Sequence, residues 1–253
     1  MSWDDPRVAA RVAQAYAAPD LAAVREAQID LLAPRPGWRI ADIGCGPGAF
    51  AEALTARGAA VTAIDSARAM LDAVAARELG CELVQADASD LPLASGSHAA
   101  ACMVQVLEYV DDPVAALREA ARVVEPGGVV LAADTDWDTM GFNVADRALG
   151  RRVMQAHADL KPDGWAGRRL RGWLTAAGLV PEARRVVVLD ASEWGGDTFI
   201  AHNWPNMRHG VERSGAVTAD ELARFEAEIG ESAASGAFYW SVVRHAWRAR
   251  APE

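Results

Sequence analysis

A chain of 253 residues, half of them hydrophobic and with a mean hydropathy of +0.00, can bury one substantial core and carry a small cap on it. Its 35 acidic residues outnumber 25 basic ones for a net charge of −10, and the basic residues are scattered rather than clustered, which argues against nucleic acid as a partner. Cys45, Cys81 and Cys102 suit reduced thiols better than a disulfide frame or a metal site, the opening "MSWDDPRVAA" has acids where a signal peptide has bases, and no apolar run is long enough to span a bilayer, so a cytoplasmic protein is expected.

The leading stretch "PRVAARVAQAYAAPDLAAVREAQIDLLAPRPG" predicts one or two helices that end at the Pro-Gly turn. Strand candidates follow in regular alternation with helices: "WRIADI", "AAVTAID", "CELVQAD", "HAAACMVQ" and "GGVVLAADTD". Between them, "AFAEALTARG", "ARAMLDAVAARELG" and "DPVAALREAARVVEPGG" place apolar residues at three- and four-residue spacings and close on glycine. This alternation predicts an α/β fold with a doubly wound, mostly parallel sheet. From Trp137 to about Gly178 the pattern is mostly helical. "LVPEARRVVVLD" and "AFYWSVVRHAWRAR" then predict two more strands, separated by a long helical excursion of the kind that forms lids and substrate walls. No repeat, low-complexity segment or linker divides residues 1–253, so a single domain is expected.

The stretch "RIADIGCGPGAF" turns from a strand into a helix through Gly44, Gly46 and Gly48. Glycines there permit a sharp turn and let a ligand approach main-chain N–H groups. Gly44-x-Gly46-x-x-Ala49 also satisfies the dinucleotide fingerprint, so the turn alone leaves a nicotinamide oxidoreductase open. Asp42 precedes the first glycine inside the strand, and the next two strands end in Asp65 and Asp87. An acid closing the second strand would hold the ribose hydroxyls of NAD or of S-adenosylmethionine alike. Asp87, closing the third, is better explained by an adenine amino group at that sheet edge, which favours S-adenosylmethionine.

At this point the sequence resembles the class I S-adenosylmethionine-dependent methyltransferases, in particular those acting on small molecules. The resemblance runs through "IADIGCGPGAF", "VTAIDSARAML", "VQADASDLPL", "MVQVLEYVDDP" and "ALREAARVVEPGGVVLAADTD", roughly residues 38–136. It implies a Rossmann-like sheet of seven strands with a final antiparallel strand. It also implies that Asp42, Gly44, Gly46 and Gly48 pass under the methionine part of the cofactor and that Asp65 holds its ribose. Asp87 with Ala88 would face the adenine, Ser66 and Met70 would sit beside it, and Gln105 would lie under the sulfonium. Tyr16 and Arg25 would belong to a helical flap, residues 1–37, over the cofactor carboxylate. Residues 38–136 would form the cofactor-binding core, and residues 137–253 would carry the substrate-cap helices and the last two strands.

Methyl transfer needs alignment more than covalent help, so the acceptor site is less legible. The acids Asp134 and Asp136 of "DTDWD" are expected on a loop after the fifth strand, where they could polarise or deprotonate an acceptor; too few ligands gather there for a metal. Of the five histidines, His157, His202 and His209 fall in the inserted helices, and His202 is the preferred base. Trp137, Trp194, Trp204 and Tyr239 are expected to wall a flat aromatic acceptor. "VQVLEYVDDP" stands where amino methyltransferases of DNA carry N-P-P-Y. The expectation is therefore O-, N- or C-methylation of a small, aromatic acceptor in specialised metabolism, with no metal, no nucleic acid and no membrane, and with a homodimer left open. A fold relative that binds the cofactor without methylating, and an NAD-dependent oxidoreductase, are the alternatives.

Overall fold

The computed structural model describes residues 3–253. Two helices lead the chain, α1 (Pro6–Ala17) and α2 (Asp20–Leu32). Asp5 caps the first by accepting the Arg7 N–H, and Pro6 takes the first helical position, where its missing N–H costs nothing. Strands and helices then alternate: β1 (Arg39–Ile43), α3 (Ala49–Ala56), β2 (Ala60–Asp65), α4 (Arg68–Ala75), β3 (Glu82–Gln85), β4 (His98–Val104), α5 (Pro113–Val123) and β5 (Val124–Phe142). The remainder comprises α6 (Arg147–Ala158), α7 (Ala166–Ala176), β6 (Val180–Ala191), α8 (Phe199–Ser214), α9 (Ala219–Ala234) and β7 (Trp240–Arg250).

The strands form one seven-stranded sheet in the order β3-β2-β1-β4-β5-β7-β6. β1 to β5 pair in parallel, and β7 is antiparallel to both of its neighbours. The central strands are covered on both faces, which is why Ile40, Ile43, Ile64, Met103 and Leu131 are all buried. The chain reverses its winding between β1 and β4, so the carboxyl ends of those strands open a crevice, the usual ligand position in such sheets. The antiparallel insertion of β7 departs from the all-parallel order of dinucleotide-binding sheets and weighs against the nicotinamide reading.

One expectation is corrected here. "DTDWD" is not a loop: β5 continues through it to Phe142, because β7 offers a pairing edge beyond the point where β4 ends at Val104. Asp134 pairs with His245, Thr135 with Arg244 and Asp136 with Val243, before a bulge shifts the register ahead of Gly141. Strand alternation then decides which side chains share a face: Thr135 lies with Arg244, while Asp134 and Asp136 lie opposite. The helical stretch expected from Trp137 starts only at Arg147.

The face carrying Asp134 and Asp136 is covered by α7, and very closely. A Cβ on Gly167 would come within 2.8 Å of the Asp134 carbonyl oxygen and 2.9 Å of the Asp136 amide nitrogen. Both are backbone atoms and cannot swing aside, so Gly167→Ala is expected to cost roughly 1–3 kcal/mol in urea unfolding. Gly172→Ala on the same helix meets nothing within 4 Å and should be neutral or stabilising by about 0.5–1 kcal/mol. Equal stabilities for the two variants would refute this account of the packing.

The aromatic residues of the late helices form their own core. Phe142 packs against Trp194, Trp204, Phe225, Phe238 and Trp240 at ring-centroid separations of 5.6–6.4 Å. This cluster fastens α8 and α9 to the ends of β5 and β7. α9 begins with a reciprocal cap in which Thr218 and Glu221 satisfy each other's backbone N–H groups.

Candidate active site

The turn between β1 and α3 takes its shape from three glycines with positive φ: Gly44 (70°), Gly46 (52°) and Gly48 (87°). Their reasons differ. A Cβ on Gly44 would sit 2.5 Å from Val106, and one on Gly48 would sit 3.0 Å from Val74, so both admit neighbouring side chains. A Cβ on Gly46 would meet nothing within 4 Å, because it would project into open cavity. The Asp65 carboxylate holds this turn from the end of β2, accepting the Gly46 N–H on Oδ2 at 2.9 Å and the Ala67 N–H on Oδ1 at 2.9 Å. Burial raises the Asp65 pKa despite these bonds.

Beside the turn, Asp42 is wholly buried and its Oδ2 has no partner. Burial, with the neighbouring Asp65 charge, pushes its pKa up to about 7. A carboxyl that titrates near 4 when unfolded and near 7 when folded keeps its full contribution to stability below pH ~4 and loses it as the pH rises to 7. The stability of Asp42→Asn relative to wild type, without ligand, is therefore expected to grow between pH 4 and 7, by up to about 4 kcal/mol, and then level off. A difference independent of pH in urea titrations at pH 4.5 and 8 would remove Asp42 from this role.

The turn opens onto a cavity of about 1020 Å³, large for a single small-molecule site and roomy enough for two ligands side by side. Of the residues expected at the cofactor, Tyr16, Arg25, Asp42, Gly44, Gly46, Asp65, Ser66, Met70, Asp87, Ala88 and Gln105 all line it, and Gly48 stands just behind in the turn. Asp87 is held ready by Ser89, whose N–H and hydroxyl donate to Oδ1 at 2.8 and 2.6 Å and lower its pKa. Gln105 sits at the end of β4 with a φ of 59°, and the Thr135 hydroxyl donates to its side-chain oxygen at 2.5 Å. A non-glycine residue kept in that conformation stores strain, which the Gln105 N–H bond to Ala133 at 2.7 Å helps to hold. The residues present fit an adenosine-bearing sulfonium cofactor: an open cradle over Gly46, an unpartnered buried carboxyl at Asp42 and acids closing β2 and the segment after β3.

The other end of the cavity differs from the expectation. Trp137 lines it, but its indole N–H donates to the buried Glu108 carboxylate, its edge meets His157 at 4.9 Å, and the Lys161 ammonium lies 4.8 Å from its ring centroid. It is a fixed wall rather than a free stacking platform. His202, Asp134, Asp136, Trp194, Trp204 and Tyr239 do not line the cavity. His202 pairs instead with Asp197 at 2.7 Å. Asp134 accepts the Leu107 N–H at 3.1 Å, and Asp136 takes Arg168 in a two-point ion pair at 2.5 and 2.6 Å, both on the face covered by α7. Trp194 and Trp204 belong to the aromatic core, and Tyr239 is 44% exposed.

Residues to which the sequence gave little weight take their place. His157 and His209 line the cavity, and His157 is buried with both ring nitrogens unpartnered. Burial and the adjacent Lys161 depress its pKa to about 3, so its ring is neutral at physiological pH. Lys161, the one lysine of the chain, donates to the Tyr109 hydroxyl at 2.6 Å. Arg244 arrives from β7 and Asn203, Asn206 and Met207 from α8. A lone lysine after a helical histidine was the only signal in the sequence, and nothing marked Arg244 out among the scattered arginines.

Comparisons with known proteins agree with this geometry. Residues 41–132 match the family described as "Methyltransferase domain". An uncharacterized 37.1 kDa protein in transposon TN4556 of Streptomyces fradiae is 33% identical over 163 residues, covering 61% of this chain and 47% of that protein. A ubiquinone biosynthesis O-methyltransferase of Paracidovorax citrulli is 38% identical over 124 residues, covering 46% of this chain and 52% of that one. The chain thus spans about half the length of these curated relatives. Among solved structures, geranyl diphosphate C-methyltransferase from Streptomyces coelicolor A3(2), in complex with Mg2+, geranyl diphosphate and S-adenosyl-L-homocysteine, superposes with a TM-score of 0.54 at 22% identity. The superposition covers 90% of this chain and 80% of that one, and shares the fold. No helix among the described residues is long and apolar enough to cross a membrane, and no group of three or more metal-ligating side chains occurs among them.

Proposed function

We propose that the chain is a class I S-adenosylmethionine-dependent methyltransferase that methylates a small organic acceptor held in the same cavity as the cofactor, a reading supported by the match of residues 41–132 to the methyltransferase domain. The observation that carries this reading is continuity: the glycine turn and Asp65 lie at one end of a single cavity, and Trp137, His157, Asn203 and Arg244 lie at the other. S-adenosylmethionine, when bound, supplies a methyl group already activated on a positively charged sulfur. What remains for the protein is to hold donor and acceptor in line and to keep water out.

We assign Asp65 to the ribose, Asp87 and Ala88 to the adenine with Ser66 and Met70 beside it, and Asp42 with Gly44, Gly46 and Gly48 to the methionine part. Gln105 belongs under the reacting centre. Tyr16 and Arg25 close the flap, Arg25 donating to the Tyr16 carbonyl at 3.2 Å. His202, Asp134 and Asp136 are not carried forward, because their side chains are engaged away from the cavity. Trp137 bounds the acceptor, with α8 as the opposing wall.

The test is to incubate the protein with methyl-labelled S-adenosylmethionine and a metabolite extract, then to identify labelled products. Label in a small molecule supports the reading. Tight cofactor binding with no label anywhere would replace it by that of a fold relative with another activity.

A further inference from the structure

Arg244 is the least satisfied charged group among the described residues. It is 3% exposed, lines the cavity, and both its Nε and Nη2 lack a hydrogen-bond partner. Burying a guanidinium without a partner is expensive, and such a charge is kept only where something else meets it. No carboxylate among the described residues reaches its Nε or Nη2. Asp134, on the opposite face of its strand, accepts the Leu107 N–H on Oδ2 and leaves Oδ1 unpartnered, and burial with the adjacent Glu108 raises its pKa well above the usual carboxylate value. Asp20 accepts the Phe199 N–H on both oxygens at 3.1 and 2.9 Å. Glu108 accepts from Trp137.

The identity of the two free donors is informative. Nε and Nη2 form the side-on fork of a guanidinium, spaced to meet the two oxygens of one carboxylate. The same chain uses that fork elsewhere: Arg168 reaches Asp136 through Nε and Nη2 at 2.6 and 2.5 Å. In Arg244 the same edge is buried without a partner. Its flanks are aromatic, with the Phe199 ring 5.2 Å and the Tyr16 ring 5.9 Å from the guanidinium carbon. Its place in the sheet is opposite Thr135, whose hydroxyl donates to Gln105 at the end of β4. The fork therefore stands on the acceptor side of the residue assigned to the reacting centre.

We propose that Arg244 binds a carboxylate of the acceptor, so that the substrate is a small organic acid with an apolar body. The proposal rests on the methyl-transfer reading above, since it names the acceptor of that reaction. One other source of a carboxylate exists, the methionine part of the cofactor. The fork lies beside Tyr16 of the flap but three strands from the glycine turn, across β4 and β5, and on that separation we give it to the acceptor.

The experiment uses the full chain saturated with S-adenosylhomocysteine, titrated calorimetrically with benzoate, phenylacetate and octanoate, each against its neutral amide. For wild type, at least one carboxylate is expected to bind about tenfold or more tightly than its amide. Arg244→Met should abolish that preference, and Arg244→Lys, which keeps the charge and loses the fork, should retain only part of it. The melting temperature of Arg244→Met should equal or exceed that of wild type, because an unpaired buried charge is removed. Should that variant fail to fold, Arg244→Lys carries the comparison. The proposal is overturned if no carboxylate outbinds its amide, or if the preference survives in Arg244→Met. It is also overturned if Arg244→Met loses affinity for S-adenosylhomocysteine itself, which would give the fork to the cofactor. Failure of wild type to bind S-adenosylhomocysteine would instead strike the methyltransferase reading beneath it.

Discussion

Gly46→Val is expected to abolish binding of S-adenosylmethionine, to beyond the reach of calorimetry, while the protein remains folded. A Cβ at Gly46 meets no protein atom within 4 Å, so the branched side chain would stand in the space that a ligand over the turn must use. The φ of 52° adds strain, of order 1–3 kcal/mol for a residue that avoids the left-handed region. That strain also shifts the Gly46 N–H, which Asp65 accepts, so the loop would relax away from its ligand-ready form. Gly46→Ala separates the contributions, because it brings much of the backbone strain with less bulk, and should bind weakly rather than not at all. Far-ultraviolet circular dichroism and a cooperative melt establish the fold. Affinity of the valine variant within about threefold of wild type would eliminate the glycine turn as the cofactor cradle.

Asp65→Ala is the second large effect, a loss of about 2 kcal/mol in cofactor binding, or roughly thirtyfold in Kd. Two charge-assisted hydrogen bonds to ribose hydroxyls would vanish. The same carboxylate also fixes the Gly46 and Ala67 N–H groups, so the variant should loosen the turn as well. Asp65→Asn keeps one acceptor oxygen for the turn without the charge, and should fall between wild type and alanine. Calorimetry with S-adenosylhomocysteine gives the affinities, and amide hydrogen exchange at Gly46 reports the turn. Unchanged affinity in a folded Asp65→Ala protein would mean that the ribose lies elsewhere.

The residues behind both predictions are legible in the amino-acid sequence, and the reason is local. A glycine-rich turn between a strand and a helix is encoded by adjacent residues, and acids closing successive strands of a parallel sheet are brought to one edge by the regular βα repeat. Asp42, Asp65, Asp87 and Gln105 therefore line one cavity because each ends, or nearly ends, its own strand. Long-range pairing was needed only to bring the strands side by side, and doubly wound topology does that in one customary order.

The acceptor end had no such rule. Whether "DTDWD" continued a strand depended on β7, more than a hundred residues later, lying beside β5. That pairing turned Asp134 and Asp136 to the face under α7 and Thr135 and Arg244 to the other. Trp194 and Trp204 looked like walls of a pocket, yet their large apolar surface was better used in fastening α8 and α9 to the sheet. His202 and His157 both sit on inserted helices, but Asp197 engages the first, while the second is buried against Trp137 and left unpartnered at the cavity.

The sequence by itself thus determined the βα alternation, the sheet class and the residues that meet around the glycine turn, because their information lies within a turn or one strand-helix unit. Only the tertiary structure decided the acceptor end, because register with β7 and the packing of α6, α7 and α8 choose which face each polar side chain meets. In an alternating strand a change of one residue in register exchanges the cavity face for the core face. For that reason Arg244, ordinary in the sequence, becomes the buried, unpaired cation of the site.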